Sequence, residues 1–537
     1  MTRLISIGLL WGITVVEFFA IAIVAFRRSF FVNHDAALYL QCGQLILEGK
    51  TPYVDFYDNN PPLIMYLNTL PVMFSNLTGL SVMQAFAALV LLSILVSTFT
   101  IAWIMARAGL PAIQIQLFLS AWLSLNLMTL YFQDFGQREH LFMIFATPFL
   151  LSRLIRHDRD FLQHRILFLL LIGFSAAVGA TLKPYFLLTI LLAEMFYFIK
   201  IRSKRFFLAP ELIGFVLFCL AYGLVFLFSP LMRTSYLEVL APLISKGNSA
   251  YYAYRIVIVN CFNPLFGGFS AYNFLLSAIL MLQVGFVLFG SRASSKLSLA
   301  STGFLIMSIA SLFSFIYQAK AWPYQIIPFQ YFVVYGLIWN LGSIGDWVRT
   351  VWASRYRFWE RSIGVIISLN LVGFLILANR LYTSQAYWDS QFYKVIKETS
   401  AINNRVVIVS SSMLAYPYLL QADKRPGSRF LWFFPVAMLY SQAHDPNLTE
   451  SEIYQHGSLD KELENRFMNE LSSDIETLQP ALMLINSGYL DQALPGKFNL
   501  KNYLRARNIM GQIESNYRFD SEIKLKNGVL FELWILK

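Results

Sequence analysis

Side chains suited to acid–base chemistry and to phosphate binding occur in polar stretches between long apolar runs. The first stretch, residues 34–67, follows the first apolar run and holds Asp35, Asp55 and Asp58. A carboxylate in such a position can accept the proton of an attacking hydroxyl group. Cations can stabilise a leaving phosphate; arginine binds a phosphate in two places, whereas lysine acts as a point charge. The polar stretches therefore hold side chains suited to proton transfer and to binding an anion.

Three later stretches supply a second acid and several cations. They are Gln137-Arg138-Glu139-His140, Lys183-Pro184, and residues 320–324, which read Lys-Ala-Trp-Pro-Tyr. Lys183 precedes a proline between two short apolar segments, a pattern typical of backbone that lines a cavity rather than lipid. Arg233 and Arg255 are weaker cationic candidates of the same kind.

The composition is typical of a multi-pass membrane protein. Hydrophobic residues make up 57% of the chain and charged residues only 14%, whereas soluble proteins carry roughly 25% charged residues. The net charge of +11 arises before residue 380, where 25 basic residues stand against 14 acidic ones; the remainder has 17 of each. Short cytoplasmic loops of membrane proteins collect Lys and Arg, so the excess indicates membrane topology and not a nucleic-acid partner.

Apolar runs near the length of a membrane span predict about eleven transmembrane helices. The predicted spans are 4–26, 80–105, 111–129, 141–154, 167–182, 185–199, 212–228, 269–289, 297–317, 326–341 and 363–378. Alternating them places the arginine-dense loops on one side and the polar stretches on the other, as the positive-inside rule requires. Glu17 lies within the first span and should face other helices. Arg27 and Arg28 fall on the outer side, against the rule.

The composition changes after residue 380 to that of a small soluble domain. Residues 405–411 have the pattern of a buried strand ending in a turn. Thr449 and Glu452 form a capping box that predicts a helix start, and a second helix is expected at 458–478. Another strand is expected at 481–485, and Asn527-Gly528 between alternating residues predicts a terminal hairpin.

These patterns predict two domains. Residues 1–379 would form a helical membrane domain, with a first external loop at about 27–79. Residues 380–537 would form a soluble α/β or α+β domain on the extracytoplasmic face. The three cysteines are scattered and indicate neither a disulfide framework nor a zinc site.

The first polar stretch resembles the first external loop of polyprenyl-phosphate-sugar-dependent glycosyltransferases. This GT-C membrane class includes the protein mannosyltransferases and the lipid A aminoarabinose transferase. In these enzymes an acid just after the first helix lies near the reacting atoms, and a Pro-Pro step starts a helix along the membrane. Asp35 matches the first feature and Pro61-Pro62 the second. The resemblance extends over roughly residues 1–345 as an arrangement, with close matching confined to short pieces.

The resemblance implies a role for each polar stretch. Asp35 would be the base that activates the acceptor. Glu139, which follows an arginine at the outer end of the fourth helix, would assist or orient. The residues implied in binding the donor phosphate are Arg138, Lys183, Lys320 and, more weakly, Arg255. The residues implied in binding the substrates are Tyr53, Asp58, Gln137, His140 and Tyr324.

Each acidic candidate also has a structural interpretation. Asp35 is suited to cap the helix that follows it, since Asp is a favoured N-cap residue. Glu139 is suited to an ion pair at a helix start, where an acid fits the helix dipole. Asp55 and Asp58 fit a simple polar turn.

The other candidates have similar alternatives. Lys183 and Lys320 are long enough to reach the membrane interface without binding a phosphate. Tyr53 and Tyr324 fit an interfacial aromatic belt as well as a surface for stacking on sugar. His140 is more typical of a local hydrogen bond than of a metal ligand, because metal sites need several ligands in a defined geometry.

Two departures from the class limit what can be transferred. Asp35 is followed by Ala36, where many relatives have Asp-Glu. Asn59-Asn60 precedes the Pro-Pro step, where the lipid A enzyme has an acid and a lysine. The second difference argues against a metal site at this place and against aminoarabinose as the sugar, and the need for a divalent metal ion elsewhere stays open.

The residues and the resemblance together predict an integral-membrane, inverting glycosyltransferase. It would move a sugar from a polyprenyl-phosphate donor to an extracytoplasmic glycan, lipid or protein, with membrane lipids around it. We expect it in the bacterial cytoplasmic (inner) membrane, with the active site and the C-terminal domain outside the cytoplasm. A polysaccharide polymerase or ligase with a diphosphate-linked donor is one alternative, and a transporter or flippase is another. Transport is disfavoured because the charges lie at one face and no internal repeat is visible.

Overall fold

The three-dimensional structure is a computed structural model of the chain. The residues that it describes are 2–156, 165–202, 204–250, 271–289, 295–318, 322–351, 353–384, 389–398, 403–411, 413, 416–443, 445, 447–489 and 497–537. They fall into two compact units. Unit 1 comprises Met1–Ser29, Gln84–Leu224 and Tyr254–Gln385, and unit 2 comprises Phe30–Met83, Val225–Ala253 and Ala386–Lys537.

Unit 1 is helical. Its helices in the described part of the chain are Thr2–Arg28, Val82–Arg107, Ala112–Tyr131, Arg138–Arg156, Ile166–Thr181, Pro184–Ile201, Pro210–Phe228, Ala271–Phe289, Ser295–Tyr317, Ile327–Val351 and Ala353–Thr383. Each predicted span lies largely within one of these helices. Prolines mark several helix starts, because proline suits the first helical turn, where a backbone N–H has no intrahelical partner.

Four described helical stretches are long and apolar enough to cross a membrane. They are Val82–Arg107, Ala112–Tyr131, Leu299–Tyr317 and Phe358–Thr383, and a bent pair, Pro210–Val225 with Pro230–Ser245, adds a fifth if it counts as one span. The sequence-based prediction of about eleven spans exceeds this number. Helix Ile166–Thr181, for example, has only 16 residues. At about 1.5 Å per residue it is shorter than the roughly 30 Å hydrocarbon core of a bilayer.

Small residues bring two helices of unit 1 into backbone contact. A Cβ atom on Gly173 would lie 1.8 Å from the backbone oxygen of Glu211, and one on Gly214 would lie 2.2 Å from that of Leu170. Helices Ile166–Thr181 and Pro210–Phe228 therefore cross at a distance that only glycine permits, as is common between apolar helices that pack without a hydrophobic driving force.

The polar residues of the first helix are satisfied by other helices of unit 1. Glu17 is fully buried, and its carboxylate accepts a hydrogen bond from Ser120 Oγ at 3.1 Å. The expectation that Glu17 faces other helices is confirmed. Arg27 and Arg28 donate to the backbone oxygens of Tyr382 and Leu381 at 2.6 and 3.0 Å. The two arginines thereby satisfy carbonyl groups at the end of helix Ala353–Thr383.

A buried ion network lies at the C-terminal end of helix Arg138–Arg156. Arg153, of which only 1% is exposed, donates to Glu194 at 2.6 and 2.9 Å and to Glu211 at 3.1 Å. The two acids come from helices Pro184–Ile201 and Pro210–Phe228. Nothing in the sequence predicted this network, because the acids lie 41 and 58 residues from the arginine.

Replacing Arg153 with methionine should destabilise unit 1 severely. The change leaves two carboxylates buried without their cation, and breaking a buried ion pair in this way costs roughly 3–5 kcal/mol. Thermal unfolding of the purified protein in detergent measures the effect. Arg107→Met, at an exposed helix end, is the matched control and should change the melting temperature little. Equal melting temperatures for the two variants would contradict this prediction.

Unit 2 contains helices and a sheet. In the described residues its α-helices are His34–Leu47, Leu63–Leu67, Thr69–Thr78, Pro230–Met232, Ala241–Ala250, Ser390–Glu398, Tyr418–Gln421, Phe434–Leu439, Glu450–His456, Lys461–Leu478, Leu500–Ala506 and Ile509–Asn516. A π-helix, Arg233–Leu240, joins Pro230–Met232 to Ala241–Ala250. The strands are β1 (Arg405–Val409), β2 (Arg425–Pro426), β3 (Leu482–Asn486), β4 (Tyr517–Lys524) and β5 (Leu530–Leu536). Their order in the sheet is β2-β1-β3-β5-β4.

The sheet is mixed, and its local sequence signals are confirmed. Strand β1 runs parallel to β2 and β3, while β5 runs antiparallel to β3 and β4. The predicted hairpin at Asn527-Gly528 joins β4 to β5, and Gly528 has a φ of +89° that favours glycine. Both halves of the predicted capping box between Thr449 and Glu452 are present.

Glu464 is the centre of a buried polar cluster in unit 2. Its carboxylate accepts hydrogen bonds from Tyr440 at 2.5 Å, from Tyr503 at 2.8 Å and from Arg507 at 2.8 and 2.9 Å. Lys461 adds an ion pair at 3.1 Å. Burial alone would raise the pKa of Glu464, but the donated hydrogen bonds and the positive charge of Arg507 outweigh it and lower the pKa.

Acid should therefore loosen this cluster. Because the pKa of Glu464 is lower in the folded state, its contribution to stability is complete above the ordinary value of 4.5 and is lost as the pH falls through the folded value. Hydrogen exchange of helix Lys461–Leu478, corrected for the intrinsic effect of pH on amide exchange, should accelerate below that value. Glu464→Gln should weaken the pH dependence, and Glu462→Gln, at an exposed neighbouring position, should preserve it. The same profile in both variants would exclude Glu464 as the source.

Candidate functional site

A tight turn delivers the polar residues 137–140 to the start of a helix in unit 1. Asp134 N donates to Thr129 O at 2.7 Å as the preceding helix ends. Gly136 has a φ of +76°, and a Cβ atom there would lie 2.2 Å from the ring of Phe86. Glycine is needed here both for the backbone conformation and for the space. Arg138 and Glu139 consequently occupy the first turn of the next helix.

His140 is held by two hydrogen bonds. Gly136 N donates to its Nδ1 at 2.9 Å, so Nε2 carries the proton and donates to Asn126 Oδ1 at 2.8 Å. The amide of Asn126 in turn donates to Trp122 O at 2.7 Å. Both ring nitrogens are thus occupied, which fits the local hydrogen-bonding interpretation and leaves no nitrogen for a metal ion. Asn126 was missed in the sequence, although an amide inside an apolar run needs a partner.

Glu139 and Lys183 form a buried ion pair. Lys183 Nζ lies 2.5 Å from Glu139 Oε1, and the side chains are 8% and 0% exposed. Lys183 has extended backbone and immediately precedes Pro184, the first residue of helix Pro184–Ile201. The helix break therefore turns the lysine toward the start of helix Arg138–Arg156. The two polar stretches therefore meet, and the ion pair expected in the structural interpretation of Glu139 is present.

The pair also contacts an aromatic ring. Lys183 Nζ lies 5.1 Å from the ring centre of Tyr324, which is buried on the short 3₁₀ helix Pro323–Ile326. Glu139 Oε2 is buried and accepts no hydrogen bond from the described residues. Burying both charges is tolerable because each compensates the other. An incoming phosphate could share this lysine, since an ammonium group has three donors.

Of the remaining candidates, Gln137 and Arg138 lie in the described part of unit 1, and two others do not. Gln137 and Arg138 are buried beside Glu139 in sequence, 1% and 5% exposed. Lys320 and Arg255 lie outside the described residues. Their predicted part in phosphate binding stays a prediction.

Asp35 lies in the first turn of helix His34–Leu47 in unit 2. Asn33 caps this helix, because its side chain accepts a hydrogen bond from Asp35 N at 3.0 Å. The interpretation of Asp35 as the N-cap residue is therefore wrong. The Asp35 side chain is 2% exposed, and its Oδ1 lies 3.5 Å from Nε2 of His34. An acid in the first turn also suits the helix dipole.

Asp58 and Tyr53 shape the loop that precedes Pro61-Pro62. Asp58 is fully buried, and its Oδ1 accepts from both the backbone and the side-chain nitrogen of Asn60 at 2.8 Å. Tyr53 donates to Asn60 O at 2.5 Å and packs its ring 4.6 Å from that of Tyr236. The exposed Asp55 accepts from Thr51 N at 2.7 Å. These contacts match the polar-turn interpretation of Asp55 and Asp58.

The described residues offer little to a metal ion. No group of three His, Cys, Asp or Glu side chains gathers among them in a geometry that could hold one.

Comparison with known proteins identifies the fold. No protein-family model matches the sequence, and no curated protein matches it. A structural match is found to the crystal structure of ArnT from Cupriavidus metallidurans bound to undecaprenyl phosphate, with a TM-score of 0.54, 14% sequence identity and coverage of 97% of each chain. The chain therefore has an ArnT-like fold, which agrees with the resemblance of its first polar stretch.

Proposed function

We propose that the chain is a membrane glycosyltransferase that takes a sugar from a polyprenyl phosphate and transfers it to an acceptor outside the cytoplasm. The observation that carries the proposal is the buried pair of Lys183 and Glu139 beside Tyr324, in a chain with an ArnT-like fold. The ArnT structure contains undecaprenyl phosphate. A donor of this chemical class needs a cation at its phosphate, and Lys183 and Arg138 supply that charge.

The reaction would proceed by direct displacement. The acceptor hydroxyl oxygen forms a bond to the anomeric carbon while the bond from that carbon to the phosphate oxygen breaks. Its electron pair leaves with polyprenyl phosphate, and the acceptor proton passes to Asp35, the base. Attack opposite the leaving group inverts the anomeric configuration.

Charge placement supports the assignment of the cations. The phosphate gains one negative charge as it leaves, so groups that hold it more strongly in the transition state accelerate the reaction. In the absence of donor, Glu139 would hold Lys183 in place and neutralise it. Donor binding would then let Lys183 turn partly from the carboxylate to the phosphate.

A detergent assay separates this proposal from transport. The purified chain would be mixed with lipid extracted from cells that lack it and with their envelope glycans. Mass spectrometry would follow the lipid-linked sugars and the glycans. A transferase moves a sugar and releases polyprenyl phosphate without an intact bilayer, whereas a flippase has no product in detergent. Unchanged donor and glycan masses would reject the proposed function.

A further inference from the structure

One ten-residue segment in the C-terminal part of unit 2 makes several contacts with the loop that carries Asp35. We call this segment, residues 421–430, the clasp; it includes strand β2. Two of the contacts between the clasp and the loop join residues that are 381 and 391 positions apart in sequence. Its contacts with the loop, with strand β1 and with helix Lys461–Leu478 lie within unit 2.

The clasp holds the loop on both sides of helix His34–Leu47. Before the helix, the Gln421 side chain donates a hydrogen bond to Phe30 O. At the end of the helix, Arg425 donates to Gln44 Oε1 at 2.9 Å and pairs with Glu48 at 3.0 Å.

The clasp also pairs with the loop beyond the helix. Tyr57 N donates to Arg429 O at 2.8 Å, and Tyr57 forms a parallel β-bridge with Phe430. The rings of Tyr57 and Phe430 lie 5.2 Å apart. This contact immediately precedes Asp58. The clasp therefore contacts the chain at three places: before helix His34–Leu47, at the end of this helix, and after it.

The clasp itself is anchored in the sheet and in helix Lys461–Leu478. Strand β2 pairs with β1, and Gly427 N donates to Val406 O at 2.9 Å. Arg429 donates to the carboxylate of Asp474 through its backbone and side chain at 2.9 to 3.1 Å, and Ser428 adds a bond at 3.0 Å. A segment fixed in this way links the position of the loop to that of the sheet and of helix Lys461–Leu478.

We propose that the clasp positions Asp35, and that Arg425 is a positioning residue for the transfer reaction. This inference rests on the proposed function, in which Asp35 is the base. General-base catalysis depends on the distance between the base and the proton, and a misplacement near 1 Å is enough to slow a reaction about 100-fold. A helix held at both ends keeps a side chain of its first turn within that tolerance.

Arg425→Met tests the positioning, because it removes both guanidinium contacts and keeps the aliphatic stem. The pair is partly exposed, 28% for Arg425 and 44% for Glu48, so the variant should fold with a nearly unchanged melting temperature. Hydrogen exchange of residues 34–48 in the full-length protein should accelerate several-fold. Sugar transfer in the detergent assay should fall about 10- to 100-fold. Arg425→Lys, which keeps one donor group, should recover part of both losses.

Arg518→Met is the matched control, because Arg518 is exposed on β4 of the same sheet. It should leave exchange and transfer unchanged. The proposal that the clasp positions Asp35 would be wrong if residues 34–48 exchanged at the same rate in Arg425→Met and in the wild type. It would also be wrong if exchange became faster while sugar transfer stayed undiminished. If the wild-type chain transferred no sugar, the proposed function would be rejected. The exchange measurement would then decide on its own whether the clasp holds residues 34–48.

Discussion

Replacing Lys183 with methionine should reduce sugar transfer by roughly 10²- to 10³-fold, the range observed when one electrostatic group that stabilises the developing charge is removed. The ammonium group lies 2.5 Å from Glu139, and the proposed reaction uses it to hold the leaving phosphate. The change also leaves a buried carboxylate without its cation, which costs roughly 3–5 kcal/mol. Transfer by the purified protein and its melting temperature should therefore both fall.

A second variant separates catalysis from stability. Lys183→Met combined with Glu139→Gln removes the unpaired buried charge, so the melting temperature should recover most of its loss. Transfer should stay low, because the phosphate still lacks its cation. Lys183→Arg, which retains a positive charge, should be more active than Lys183→Met. If the double variant regained transfer in proportion to its stability, Lys183 would be structural and the phosphate site would lie elsewhere.

Asp35→Asn should abolish most transfer while leaving the fold intact. Asparagine has nearly the same shape but cannot take up the hydroxyl proton of the acceptor substrate. Loss of a general base reduces rates by roughly 10²- to 10⁴-fold. Asn33 caps helix His34–Leu47 in place of Asp35, so the helix retains its cap. Mass spectrometry of cells that carry the variant at equal membrane levels should show the lipid-linked donor accumulating and one sugar missing from a surface glycan.

Asp55→Asn is the matched control for this measurement. Asp55 lies in the same loop and is exposed, and its carboxylate accepts a hydrogen bond from Thr51 N. Its variant should transfer sugar at close to the wild-type rate. Normal donor and glycan levels in the Asp35 variant would remove Asp35 as the base and return attention to Glu139.

Local signals in the sequence were sufficient for most of the helices and strands. The lengths of the apolar runs predicted the helices of unit 1, because an apolar segment without turn residues has few alternatives to a helix. Thr449 with Glu452, and Asn527 with Gly528, predicted a helix start and a hairpin correctly. In each case the interacting groups lie within a few residues, so the chemistry of the segment specifies its conformation.

The number of membrane spans was less well determined. Apolar runs predict helices, but a short helix that packs in a membrane protein has the same composition as one that crosses the bilayer. Helix Ile166–Thr181 shows the difficulty, since it is apolar yet only 16 residues long. Length and composition therefore distinguish poorly between a short packed helix and a helix that spans the bilayer when both ends of the helix are apolar.

The sequence by itself indicated a helical membrane protein with strands near its C-terminus, and its polar stretches predicted a GT-C fold. Only the tertiary structure decided which charged and polar side chains meet. Glu139 pairs with Lys183 across 44 residues, Arg153 with Glu211 across 58, and Arg425 with Gln44 across 381. Hydrophobic pattern is a local property, whereas such pairs depend on how each helix is rotated and packed against distant segments.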